Sequence, residues 1–315
     1  MPELFDAVVI GGGPAGATAA LCLARRGATV CFYEGDAAER CGETLPPEIN
    51  PLLRELGIFD EFLSLGAIAT PGIVTSWGTA EPYAQDFIRN PHGCGWHIHR
   101  GRFDEMLCRL AADAGAVRRG GKVDPSSISA GLIVDAAGRG GARDTDDKLV
   151  ALVLRSSGGD ADSRATIEAV PDGWWYSAPL PDGEMVAMFF TDPEIYARDG
   201  IVPEEQLRHA PLARARLCAA EVRSSRTVAV SSSCRREIAR PGWIAVGDSA
   251  ASYDPLSGRG IFQAMRYAQL VGACERAEYA AMVRAEYDSY VGQRRRYYAM
   301  ETRWQDRPFW PRRIS

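Results

Sequence analysis

No stretch of the 315 residues approaches the ~18 to 20 consecutive apolar residues that a membrane-spanning helix needs. Nor does a basic segment with an apolar core stand ahead of the first apolar run, so no secretory leader is expected. CxxC pairs and Cys/His clusters at metal spacing are missing. The eight cysteines stand apart at 22, 31, 41, 94, 108, 218, 234 and 274, which reads as reduced thiols and sets the expectation of a cytoplasmic protein. Histidine is scarce, with four at 92, 97, 99 and 209, so no metal site is expected. No Ser-His-Asp or Cys-His set, internal repeat, low-complexity tract or linker is visible. An excess of one charge is also lacking: 36 basic against 41 acidic residues, net −5, gives no support for a nucleic-acid partner. What remains is a globular composition, 46% hydrophobic and 24% charged, in a chain long enough for one large domain or two moderate ones.

The most informative stretch is residues 4–34. An apolar run, DAVVI at 6–10, meets GGGPAG at 11–16, then a small-residue segment to Arg26, then a β-rich run ending on Glu34. Strand, glycine turn, helix, strand and acid form the first βαβ unit of a dinucleotide-binding fold. Gly11 permits the tight turn, Gly13 lets the backbone approach a pyrophosphate, and Gly16 lets the helix pack closely. Pro14 and Ala15 open the helix, whose N-terminal N–H groups and partial positive charge suit phosphate. Glu34, 23 positions after Gly11, is placed to accept ribose hydroxyls.

Further along, helical spacing is read over 51–65, 102–116, 203–221, 261–274 and 277–302, and the arginine run 294–296 reads as a solvated helix face. Buried strands are expected at 132–137 and 243–248, the second ending on Asp248. Strand-like runs at 150–154, 165–170, 174–178 and 185–190 imply a second sheet. The βαβ pieces lie far apart in sequence, so the expected fold class is α/β. It consists of a discontinuous Rossmann-like domain (1–70, 95–148, 235–275), an inserted β-sheet substrate lobe (71–94, 149–234) and a C-terminal helical segment (276–315).

Three segments, GGGPAG with Glu34, DAAGR at 135–139 and VGDSAASYDPLSGRG at 246–260, together resemble the FAD signatures of para-hydroxybenzoate-hydroxylase-like flavoproteins. That resemblance implies an FAD-binding domain in which Asp248 holds the ribityl chain and Pro255 sits near the flavin. Ser257, Gly258, Gly260 and Ile261 would approach the ring with backbone N–H groups. Arg40 and Arg100 are candidates for FAD phosphates or ribose, with surface ion pairs as the plainer alternative. CGETLPP at 41–47 resembles a loop of flavin-dependent halogenases. Residues 95–104, 171–179 and 303–310 look like the tryptophan-modifying flavoproteins of cysteine tryptophylquinone biogenesis.

The departures are specific. A halogenase of this family would show WxWxIP, where this chain has WWYSAP at 174–179, and a lysine following the Glu43 loop, where it reads INPLLR at 49–54. The resemblance therefore implies an FAD-dependent monooxygenase hydroxylating an aromatic ring, tryptophan or a derivative among the candidates, free or borne on a peptide or carrier. NAD(P)H or a separate flavin reductase would supply the electrons. A halogenase, a dehydrogenase or reductase, and a flavin-binding accessory protein remain as alternatives. Glu43, His97, Tyr176 and Pro255 are the catalytic candidates; Trp174, Trp175 and Tyr176 are candidates to line a substrate pocket, although strand alternation turns at least one of them into the core. Oligomeric state is left open by the sequence.

Overall fold

The computed structural model describes residues 4–35, 44–157, 162–200, 203–217 and 222–314. The chain divides into two compact units, each discontinuous in sequence.

The first unit comprises Met1–Gly42, Arg100–Thr145 and Ser233–Ser289. Its centre is a six-stranded sheet in the order Ala239–Arg240, Trp243–Ala245, Ala130–Asp135, Phe5–Ile10, Val30–Glu34, Val117–Gly120. All neighbouring strands run parallel except the Ala239–Arg240 edge. Val8, Val9, Val30, Cys31, Phe32 and Val134 are buried, the near-continuous apolar reading of strands covered on both faces. Helices Pro14–Arg25, Arg100–Asp113 and Gly260–Gln269 belong to this unit, and the first of them packs against the other two. The register aligns Ile10 with Tyr33 and Asp135, and Asp135 with Ala245. The carboxyl ends of four strands therefore open at one edge, where doubly wound folds bind their ligands. The α/β Rossmann-like class is what the structure has.

The second unit comprises Glu43–His99, Asp146–Ser232 and Tyr290–Ser315. A seven-stranded sheet, ordered Val222–Ala229, Val150–Ser157, Glu184–Thr191, Gly173–Pro179, Ala165–Val170, Gly72–Ser76, Tyr83–Asp86, forms its frame. A three-stranded sheet places Gly95–His97 between Thr44–Leu45 and Ile68–Thr70. That pairing explains a difference from the sequence expectation: residues 44–70 and 95–99 group with the sheet unit, not with the nucleotide-binding one. The final segment does not stand alone either, since residues 290–314 pack into the second unit. Trp77 donates its indole N–H to the Tyr297 carbonyl (2.9 Å), and Trp310 donates to the Val170 carbonyl (3.1 Å).

Local differences have simple causes. The expected 51–65 helix is two, Ile49–Glu55 and Phe59–Leu63, divided by a turn at Gly57. The arginine run is not wholly solvated. Arg294 is buried and pairs with Asp147 at 3.1 Å, and the same carboxylate meets buried Arg313 at 2.8 Å. Arg295 and Arg296 are exposed.

Candidate functional site

In the first unit, the turn after Phe5–Ile10 is built by contact between backbones. Gly11 has φ +116°, and a Cβ there would run into the Ala136 carbonyl; one at Gly16 would run into the Gly11 carbonyl. The helix Pro14–Arg25 is thereby pressed onto the turn, with Pro14 at its first position and Gly13 as N-cap. Among the described residues no side chain caps it, and no acidic residue lies in its first turn, which leaves its leading N–H groups available. Glu34 ends the neighbouring strand and lies directly behind the turn: a Cβ on Gly12 would stand 2.7 Å from that of Glu34.

The sequence reading missed what holds Glu34. Arg118, on the edge strand Val117–Gly120, donates Nε to one Glu34 carboxylate oxygen and Nη2 to the other, each at 2.8 Å, and also pairs with Glu105 at 2.6 Å. A bidentate guanidinium fixes the carboxylate plane and leaves lone pairs for hydroxyl donors. A basic residue one position into a strand adjoining the acid's strand is the signal that would have found it. Cys108 donates to the Gly12 carbonyl, and burial pushes its thiol up to about 12, so it is a packing group here.

The other two motifs meet beside it. Asp135 accepts from Arg235 (2.9 Å), whose guanidinium also reaches the Ser249 hydroxyl (3.0 Å) and lies over the Trp243 ring. Asp248, in the short turn Gly247–Ser249 after Trp243–Ala245, keeps a half-exposed carboxylate with Arg139 at 3.5 Å. Asp254 is buried and caps the turn Pro255–Ser257 through the Leu256 N–H. Gly258 has φ +61°, and the helix Gly260–Gln269 follows with no side-chain cap and no acid in its first turn. Pro255, Ser257, Gly258, Gly260 and Ile261 thus lie at a second helix start, and Glu286 anchors the other end of that helix by accepting from Arg266 and the Tyr267 hydroxyl. Arg100 is paired with Asp104 at 3.2 Å, within its own helix. Arg40 and Glu43 lie outside the described residues.

This donor set fits FAD. Unclaimed N–H groups at a helix start suit a pyrophosphate, while half-exposed Glu34 and Asp248 suit ribose and ribityl hydroxyls and would repel phosphate.

In the second unit, two catalytic candidates come together through a residue the sequence reading did not single out. Thr44 lies 2.8 Å from Nδ1 of His97, and its hydroxyl also bonds the Tyr176 phenol. The other ring nitrogen of His97, Nε2, is 2.7 Å from the Ser163 carbonyl. His97 is fully buried, and burial lowers its pKa to about 4 despite that bond, with the positive charge of Arg216 acting in the same direction. The WWY triple does not form one wall. Trp174 is in an aromatic core, stacked on Phe190 at 3.9 Å and donating to the Tyr298 hydroxyl, with Trp77 edge-on. Trp175 points to the opposite face, packs on Phe189 and is also buried, its indole N–H without a hydrogen-bond partner. Tyr176 alone of the three is partly exposed. The expected pocket lining is narrowed accordingly: alternation turns Trp175 away from Trp174 and Tyr176, and Trp174, on the face it shares with Tyr176, is buried by Phe190, Tyr298 and Trp77. Among the described residues no group of three or more His, Cys, Asp or Glu is placed to hold a metal, and no helix is long and apolar enough to cross a membrane.

Known proteins are similar to this chain in sequence and in fold. Residues 5–118 match a family described as FAD binding domain. The chain is 29% identical to a Marinomonas mediterranea protein named FAD-dependent oxidoreductase LodB, over 99% of this chain and 97% of that one. It is 25% identical to a tryptophan 2-halogenase of Chondromyces crocatus over 87% of this chain, but spans only 61% of that relative's length. Among solved structures, the myxobacterial chondrochloren halogenase CndH superposes with TM-score 0.87 at 24% identity, covering 100% of this chain and 86% of that one. The peptidyl tryptophan dihydroxylase QhpG gives 0.80 at 22%, covering 99% and 79%. The two structural likenesses establish the fold.

Proposed function

The family match and the relatives agree on an FAD-dependent oxidoreductase, and we propose that its reaction is oxygenation: transfer of one oxygen atom of O2 to an aromatic ring, with tryptophan on a peptide or carrier as the favoured substrate class. Bound FAD would supply the two-electron chemistry with O2, recharged by NAD(P)H or a separate reductase. The helix start at Pro14 would hold the pyrophosphate, Glu34 the ribose, and Asp248 the ribityl chain, with Gly258, Gly260 and Ile261 offering N–H groups to the flavin's carbonyl edge. Tyr176 would meet the substrate ring, and His97 would act on it through Thr44.

The observation that favours oxygenation over halogenation is Asn50. It lies in the segment where the resembling halogenases carry their lysine. Its side chain is buried, donating to the His92 and Cys94 carbonyls (2.8 and 2.9 Å) and accepting from the Trp96 indole (2.7 Å). The chain has two lysines, Lys122 and Lys148, both exposed. Halogenation is kept as the second reading because relatives named as halogenases match along most of the chain. One experiment separates them: FAD-loaded protein, an electron source, isotopically labelled O2, bromide and tryptophan-containing peptides, with products read by mass spectrometry. Labelled oxygen in the ring is expected; a brominated product without ring oxygen overturns the proposal.

A further inference from the structure

The chain of bonds through Thr44 has a defined direction. The Ser163 carbonyl only accepts, so Nε2 of His97 carries the ring proton. The imidazole is neutral in its buried site, so Nδ1 presents a lone pair and the Thr44 hydroxyl donates to it. With that proton spent, the Thr44 oxygen can only accept, and the Tyr176 phenol must donate to it. The sequence of these bonds is Tyr176 to Thr44 to His97 to the Ser163 carbonyl. His97 is a poor place to deposit a proton: it is fully buried, and the guanidinium of buried Arg216, bound by the Ser177, Asp162 and Arg164 carbonyls, stands in its field.

We infer that Thr44 is a positioning residue: it locks the proton of Tyr176 inward, toward His97, so that the phenol oxygen offers only lone pairs to any third group. Resting on the functional reading above, this makes Tyr176 an acceptor toward its substrate, suited to a ring N–H such as that of indole and unsuited to a ring oxygen or sulfur in the same place. The long-range origin of the three side chains supports a built arrangement. Thr44 and His97 are paired residues of one small sheet, and Tyr176 comes from the middle of the large one.

The test uses the full-length, FAD-loaded protein with its histidines labelled with 15N. The unmodified protein is expected to show one of its four histidines neutral from pH 5 to 8, with the proton on Nε2 and an acceptor signature at Nδ1. Thr44→Val should move that Nδ1 resonance downfield, and Thr44→Ser should restore it. Tyr176→Phe should leave it in place while lowering kcat for the peptide substrate about tenfold, the loss Thr44→Val should share and Thr44→Ser should largely recover. A His97 charged or protonated at Nδ1 at pH 7, an unmoved resonance in Thr44→Val, or wild-type kcat in Tyr176→Phe each overturns the inference. The resonance measurement does not depend on the reaction. Failure to find ring oxygenation in the unmodified protein would sink the functional reading alone.

Discussion

The two units treat polar side chains in opposite ways. In the first, Glu34 and Asp248 keep partly exposed carboxylates at or just past strand ends, and the turn between them and the first helix is mostly backbone, shaped by glycines that admit no side chain. In the second, polar groups are taken inside beside one another: His97 is hydrogen-bonded to Thr44 and Ser163, and Asp147 forms ion pairs with Arg294 and Arg313. On the proposed reading, a surface that holds a cofactor leaves part of its hydrogen-bonding capacity exposed even where arginines hold its carboxylates. A lobe that must hold a few groups at fixed angles spends it internally.

The sharpest break of this contrast is Gly16→Val. A branched side chain pressed into the Gly11 carbonyl should displace the helix start and cut FAD retention by at least about tenfold, read from flavin absorbance relative to protein. Retention at the wild-type ratio would mean that the cradle is not where FAD sits. Asp147→Ala probes the other side. It strips two buried guanidinium groups of their shared counter-charge and should destabilise the protein by about 3–5 kcal/mol in urea unfolding. A loss below ~1 kcal/mol would place the pair among surface-type bridges and erase the contrast.

The third effect is pH-dependent. The folded His97 pKa of about 4 lies below its ordinary 6.5, so between those values the unfolded chain binds the proton and the folded one does not. Stability from this group is complete above pH 6.5, declines as pH falls, and levels off below about 4. The full change is about 3 kcal/mol. His97→Gln should flatten that part of the stability curve; an unchanged slope between pH 4 and 6.5 would show that His97 is not held neutral.

Much of the first unit was legible because its determinants are local. A turn, a helix start and an acid within thirty residues write themselves into spacing, and the DAAGR and GD segments add strand ends of the same type. Arg118 and Arg235 were not singled out: Arg118 reaches Glu34 from a neighbouring strand more than eighty residues later, and Arg235 reaches Asp135 from a different sheet, so each looks in the sequence like any arginine in a β-type run. The second unit gave up its strands through alternation but not its site. Thr44 reads as one hydroxyl in a loop until Gly95–His97 pairs beside it. Alternation separates Trp175 from Trp174 and Tyr176, but the burial of both tryptophans depends on Phe190 and Phe189 of the next strand and on Tyr298, more than a hundred residues on.

The interleaving of the two units has a consequence for synthesis. The aromatic core around Trp77 and Trp174 is closed by Tyr297, Tyr298 and Trp310, and the buried carboxylate of Asp147 waits for Arg294 and Arg313. A ribosome delivers residues in order, and domains commonly fold as they emerge. Here the sheet strands of residues 72–229 leave the exit tunnel well before the segment that completes their core. Until residues 294–313 emerge, those strands lack the partners that close their aromatic core and neutralise Asp147, so the nascent chain exposes apolar surface that the finished protein buries.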